Sequence, residues 1–247
     1  MTTTNLDVLA YEKSPIGMIC LRRRELVSSP GTIITEITVD HELLMSSYHT
    51  ASERALASCA LEHHCGGGEG GGDGGHSEGG ASGLRVLVGG LGLGYTAQEA
   101  LRSPRVAKVD VVEYLPQVVD WMRKGLIPLS AELNHDDRFE VIQSDVYAML
   151  AADAEQRYDL ILIDVDHSPD ERLGEENAAF YTESGLQRAK QHLAPGGTLG
   201  VWSYAESSSF ERALRAVFAR VEIVPVSFEN EVAEESETNW LFLGLDA

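Results

Sequence analysis

An α/β architecture, with a doubly wound and mostly parallel sheet of seven strands, follows from three features of the sequence. From Leu84 onward, short aliphatic runs alternate with stretches of helical period. The first run, Val86-Leu87-Val88, enters a glycine turn carrying Gly90, Gly92 and Gly94. Nineteen residues after Gly94, a second run, Val109-Asp110-Val111-Val112, ends in Glu113. Strand, glycine turn, helix, strand and terminal acid are the grammar of a nucleotide-binding βαβ unit. Glycine lets the backbone approach a ligand closely. An acid at the second strand tip can accept hydrogen bonds from ribose hydroxyls.

The elements follow in order. Residues 16–26 and 32–39 are β-rich and flank Ser28-Ser29-Pro30-Gly31, which predicts a hairpin. Residues 42–62 carry apolar residues at helical spacing. Residues 65–83 are low in complexity, eleven of nineteen being glycine, and predict a flexible insertion. Strands are then expected at 85–88, 108–112, 139–143, 158–163 and 198–203. Helices are expected at 96–101, 116–124, 146–154, 181–193 and 209–219. Residues 221–228 and 239–245 close the sheet as an antiparallel pair. The near-continuous apolar run at 158–163 predicts a central strand buried on both faces. The domain organisation is therefore an N-terminal region at 1–64, the insertion at 65–83 and an α/β domain at 84–247.

Composition narrows the function classes. The chain has 247 residues, 39 acidic against 19 basic, for a net charge of −20. That balance disfavours nucleic acid, whose phosphates need clustered Lys and Arg. Arg22-Arg23-Arg24 is the one basic run, and three residues read as a solvated face. An acidic surface would attract a cationic substrate, or serve only solubility. No apolar run is long enough to span a bilayer. The N-terminus lacks the layout of a secretory signal. Three cysteines (Cys20, Cys59 and Cys65) are too few for a disulfide framework, so a cytoplasmic setting is expected. His63, His64, Cys65 and His76 could suggest a metal, but a floppy segment lacks the outer support that fixes such a centre, and no metal is expected.

Four strand tips should line one edge of the sheet. They carry the glycine turn, Glu113, Ser144-Asp145 and Asp164-Val165-Asp166-His167. Asp145 either binds a ligand or caps the helix that follows it. Asp164 and Asp166 end an apolar strand at the switch side of the sheet, where acids are more often functional than merely solvated. His167 is either a substrate contact or a loop residue. Tyr48-His49 reads either as function or as core packing with a surface imidazole. The acidic run at 229–237 reads as a solvated hairpin.

This order of tips resembles class I S-adenosylmethionine-dependent enzymes, which have a Rossmann-like, methyltransferase-type sheet. Within them the chain resembles the spermidine/spermine synthase family, the polyamine aminopropyltransferases. The resemblance rests on Gly89-Gly90-Leu91-Gly92-Leu93-Gly94, on Asp40-His41-Glu42 followed by Tyr48-His49, and on Tyr158-Asp159-Leu160-Ile161-Leu162-Ile163-Asp164. It implies a small N-terminal β-domain and a donor that is S-adenosylmethionine or its decarboxylated form. It implies that Gly90, Gly92 and Gly94 cradle the donor, Glu113 holds the ribose, and Ser144 and Asp145 take the adenine. Asp164 would deprotonate the attacking amine, with Tyr48, His49, Asp166 and His167 near the acceptor. A small amine acceptor is expected, and the resemblance admits a homodimer.

The chain also departs from the family. Leu93 stands where an aspartate is expected in the glycine turn, His167 replaces a second aspartate at the strand tip, and Trp202 replaces a glutamine. These changes leave the nucleoside half intact and remove anionic partners for a polyamine. A methyltransferase on the same scaffold and a non-catalytic nucleoside or polyamine sensor are the alternatives. A nicotinamide-linked dehydrogenase is disfavoured, because no second nucleotide-binding half is visible.

Overall fold

The computed structural model describes residues 6–64, 83–171, 173, 175–230 and 235–246. The expected glycine-rich insertion, with Cys65 and His76, lies outside the described residues apart from Gly83. So does part of the acidic run at 229–237.

The N-terminal region is a four-stranded antiparallel meander rather than one hairpin: β1 (Leu6–Ser14), β2 (Gly17–Glu25), β3 (Ile33–Val39) and β4 (Glu42–Ser46). The helix expected over 42–62 is corrected here. Its first part is β4, and α1 spans only Ala51–His63. The cause is local. Asp40 and His41 adopt positive φ, 48° and 77°, and turn the chain tightly between Val39 and its partner Glu42. This two-residue turn favours a hairpin. Asp40 tolerates the conformation partly because its Oδ1 accepts the Met18 N–H at 2.8 Å.

The larger layer alternates as the sequence predicts. It runs β5 (Leu84–Gly89), α2 (Tyr95–Arg102), β6 (Val106–Glu113), α3 (Pro116–Arg123), α4 (Ser130–Leu133), β7 (Phe139–Gln143) and α5 (Val146–Ala151). It continues with β8 (Tyr158–Ile163), a 3-10 turn (Glu175–Ala179), α6 (Glu183–Gln191), β9 (Leu193–Ser203), α7 (Ser208–Val217), β10 (Arg220–Asn230) and β11 (Glu235–Leu245). The helix expected to reach Leu193 stops at Gln191, because Leu193 already pairs with Tyr158 of β8.

Strand order is β10-β11-β9-β8-β5-β6-β7, with β11 antiparallel to both its neighbours and the other pairings parallel. This is the seven-stranded methyltransferase-type sheet. Val86, Leu87 and Val88 of β5 and Leu160 to Ile163 of β8 are almost fully buried, so the central strands are covered on both faces. The chain leaves β5 outward through β6 and β7, then returns to β8 on the other side. The topological switch therefore falls between β5 and β8, where open α/β sheets form a crevice at their carboxyl ends.

Candidate functional site

A cavity of about 590 Å³ opens at that switch. Its floor is the tips of β5, β6 and β8, and its roof includes Ile37, Leu44 and Met45 of the small sheet. Gly90 lines it with φ at 94°, and a Cβ there would collide with the Asp164 carbonyl oxygen. The β5 and β8 tips are joined at this point, since Asp164 N donates to Gly89 O at 2.9 Å. Gly92 also lines the cavity, covered by Met45, whose side chain a Cβ would strike. Gly94 opens α2 against Leu133 and does not line the cavity. Leu93, expected to stand at the family's ligand-contacting position, is fully buried away from the cavity. Gly92 lines the cavity instead.

Glu113 lies buried at the β6 tip and lines the cavity. Its Oε2 accepts Leu91 N–H at 2.8 Å and its Oε1 accepts Leu115 N–H at 2.7 Å. Burial pushes its pKa up, opposed by these main-chain donors. The N–H groups of Leu115, Leu91, Gly92 and Tyr114 all face this carboxylate, which thereby shapes the glycine turn. Asp145 lines the cavity and also caps α5, its Oδ1 accepting Tyr147 N–H at 2.8 Å and Ala148 N–H at 3.2 Å. Among the described residues no donor reaches its Oδ2, so the cap leaves that oxygen uncommitted. Ser144 is exposed, does not line the cavity, and uses its N–H on Glu113 O at 3.0 Å.

Asp164 stands at the β8 tip, half-buried, with Oδ2 accepting the Thr96 hydroxyl at 2.8 Å. Burial pushes its pKa up to about 6, with the Thr96 bond opposing. A second carboxylate, Glu53 of α1, lines the same cavity. Burial, reinforced by the charge of Asp164, raises Glu53 to about 7. Ser52 donates to Glu53 Oε2 at 2.9 Å, and Asn239 of β11 in turn donates to Ser52 at 2.9 Å. Sequence reading missed Glu53, because an acid on an amphipathic helix looks like part of its solvated face.

Asp166 is the most heavily bonded acid here, 3% exposed. Tyr147 and Tyr181 hydroxyls donate to Oδ2 at 2.7 and 2.9 Å, while Leu173 N–H and Asn177 Nδ2 donate to Oδ1 at 2.7 and 2.9 Å. Burial, with Tyr181 and Asp166 beside it, pushes the Tyr147 phenol well above its usual range. Asp166 thus ties the β8 tip to the 3-10 turn. His167 lines the cavity, half-buried, and its carbonyl accepts Tyr204 N–H at 3.0 Å. Tyr48 and His49 line it as well. Their ring centroids are 4.1 Å apart, and His49 lies 4.9 Å from Phe228. Trp202 joins this wall.

The structure therefore gathers Gly90, Gly92, Glu113, Asp145, Asp164, Asp166, His167, Tyr48 and His49 around one cavity, and leaves out Gly94 and Ser144. Asp40, His41 and Glu42 form the β3–β4 turn and do not line it. Among the described residues no group of three His, Cys, Asp or Glu side chains is placed to hold a metal, and no helix is long and apolar enough to cross a membrane.

The model of the spermine/spermidine synthase domain matches residues 70–217. A polyamine aminopropyltransferase of Prochlorococcus marinus (strain MIT 9313) is 33% identical over 133 residues, covering 54% of this chain and 43% of that protein. Putrescine N-methyltransferase 2 of Nicotiana tabacum is 39% identical over 80 residues, covering 32% of this chain and 22% of that protein. The chain thus spans less than half the length of these curated relatives. Among solved structures, a spermidine synthase in complex with the transition-state analogue AdoDATO superposes with a TM-score of 0.72 at 18% identity. That match covers 98% of this chain and 74% of the other. Spermidine synthase from Thermotoga maritima gives 0.70 at 16% identity, covering 98% and 73%.

Proposed function

The chain belongs to the spermine/spermidine synthase family, and from that premise we propose that it is a transferase moving an aminopropyl group from decarboxylated S-adenosylmethionine to a small amine. The observation that carries this reading is the half-buried Asp164 at the switch point, facing the cavity that also holds Gly90, Gly92 and Glu113.

The residues fit an adenosyl donor. Gly90 and Gly92 keep the turn free of side chains. Glu113 holds Leu91 and Leu115 N–H groups in place and lines the cavity at the β6 tip, where ribose hydroxyls would meet it. Asp145 Oδ2 is available to an exocyclic amine. Bound there, a donor sulfonium supplies an electrophilic carbon and leaves as a neutral thioether, so no acid is required at sulfur.

An aliphatic ammonium, pKa near ~10, cannot attack carbon while protonated. Asp164 orients the ammonium and takes its proton, and the freed lone pair then forms the carbon–nitrogen bond as the carbon–sulfur bond breaks. Thr96 fixes the carboxylate and leaves Oδ1 for the amine. Holding the amine in line with the breaking bond supplies much of the remaining acceleration.

Methyl transfer from S-adenosylmethionine is the second reading, favoured by the 80-residue likeness to a putrescine N-methyltransferase. Calorimetric titration with both donors and with methylthioadenosine, followed by mass spectrometry of products, separates the two. Preference for the decarboxylated donor and a gain of one aminopropyl unit supports the first; preference for the carboxylated donor and a gain of one methyl supports the second. Nucleoside binding without product from any amine supports a sensor. A cytoplasmic setting and a homodimer complete the proposal, the latter read by analytical ultracentrifugation.

A further inference from the structure

The basic run Arg22-Arg23-Arg24 is divided by the small sheet. Alternation along β2 turns Arg22 and Arg24 to one face, where both pair with Glu36 at 2.8 and 2.7 Å. Arg23 leaves from the other face, and its Nη2 donates to the Leu126 carbonyl oxygen at 3.4 Å. That guanidinium thereby reaches from the small sheet to the segment joining α3 and α4. There it lines a cleft of about 290 Å³ together with Arg123 and Lys124 from the end of α3.

The cleft departs from the rest of the chain in charge. Acidic residues outnumber basic ones 39 to 19 overall. Yet among the described residues no Asp or Glu lines it. Lys124 is matched by Asp120 at 2.6 Å. Among the described residues neither Arg23 nor Arg123 forms an ion pair. Two guanidinium groups therefore stand at one cleft with their charge unmatched. Its wall holds a second, independent feature. Ser130 lines the cleft and is 1% exposed, and its Oγ has no hydrogen-bond partner within the protein. A buried hydroxyl without a partner is uncommon, and leaving it so is unfavourable until another group meets it.

We propose that this cleft is a binding site for a phosphoryl dianion, free or carried as a monoester, held by Arg23, Arg123 and Ser130. Planar guanidinium forks match phosphoryl oxygens in pairs. A dianion answers two unmatched guanidinium charges, whereas a single carboxylate leaves one over. The Ser130 hydroxyl adds a neutral donor, and Ile127 and Pro128 give the carbon stem of an ester an apolar wall. The occupant joins β2 of the small sheet, which roofs the larger cavity, to the end of α3.

The test follows thermal unfolding of the full chain at pH 8, where phosphoryl groups are dianions, against inorganic phosphate, glycerol 3-phosphate, acetate and chloride at equal ionic strength. Both phosphoryl compounds are expected to raise the melting temperature saturably, and acetate and chloride to leave it unmoved. The tighter of the two, read from its concentration dependence, tells whether the group enters free or as an ester. Arg123→Gln, at an exposed position, is expected to weaken that ligand about tenfold, in keeping with loss of one charge-assisted contact. Ser130→Ala is expected to weaken it several-fold. Arg212→Gln removes an exposed charge on α7, outside the cleft, and is expected to leave affinity unchanged, which separates a built site from net charge. An equal effect of acetate or chloride, or an affinity that Arg123→Gln leaves unchanged or Arg212→Gln lowers as much, overturns the site. Unchanged affinity in Ser130→Ala overturns the hydroxyl contact.

Discussion

Thr96, on the first turn of α2, donates its hydroxyl to Asp164 Oδ2 at 2.8 Å across 68 positions of sequence. Burial alone would carry Asp164 far toward its protonated form, and this bond to the charged form acts against it. The acid is thereby pushed up only to about 6, which leaves it largely ionised at neutral pH, as the proposed proton transfer requires.

Replacing Thr96 by Val keeps shape and removes the bond. The Asp164 pKa should rise, so the acid limb of the kcat/KM profile should move to higher pH. Activity at pH 6 should fall several-fold while activity at pH 8 stays nearly intact. A pH–rate profile checks this, and a uniform loss at every pH would contradict the electrostatic role.

Asp164→Asn removes the proton acceptor while keeping size and the Thr96 contact. Turnover should drop by about 10²–10⁴, the range for a positioned general base. Methylthioadenosine affinity, measured by calorimetry, should remain within about twofold of the unmodified chain, since the nucleoside contacts proposed above are made by Gly90, Gly92, Glu113 and Asp145.

Much of this site was legible before any coordinates. Strands 139–143 and 158–163 match β7 and β8 residue for residue, the second because a near-continuous apolar run of that length is too short for a helix. The tips of β5, β6 and β8 followed from where those runs end. The small sheet was only half visible. β4 hid inside an apparent helix because two non-glycine residues, Asp40 and His41, make a turn usually signalled by glycine. Glu53 was invisible for a different reason. Only the packing of α1 against α2 and β9 turns that face toward the cavity, and no spacing in the chain records such a contact. Asp145 offered two readings in the sequence; the structure shows the cap, made through Oδ1 alone.

Glu53 also makes stability depend on pH. Its pKa is raised from 4.5 to about 7, so the folded chain holds that proton more tightly than the unfolded one. The associated stability is fully present below pH 4.5 and is lost as pH rises through about 7. Glu53→Gln, neutral throughout and still able to accept from Ser52, should therefore be more stable than the unmodified chain at pH 8 by about 1–2 kcal/mol. The gap should close toward pH 4.5. Thermal denaturation of both across this range measures it. A pH-independent difference would mean that packing, not ionisation, decides the outcome.

Asp166 separates a structural acid from a substrate ligand. It accepts from two tyrosine hydroxyls, one amide side chain and one main-chain N–H, all within 2.9 Å. Asp166→Ala leaves those four donors in a buried space, which should cost roughly 3–5 kcal/mol and lower the melting temperature markedly. Asp166→Asn should cost far less. Its oxygen can serve Leu173 and Asn177, and its amide can donate to the Tyr147 and Tyr181 hydroxyls, which lie 2.9 Å apart and can rotate to accept. The expected pattern is a large stability loss in Ala, a small one in Asn, and a KM for the amine that barely changes in Asn. Thermal melts with steady-state kinetics decide the matter. An unchanged melting temperature in Asp166→Ala together with a raised KM would instead make Asp166 a direct amine ligand.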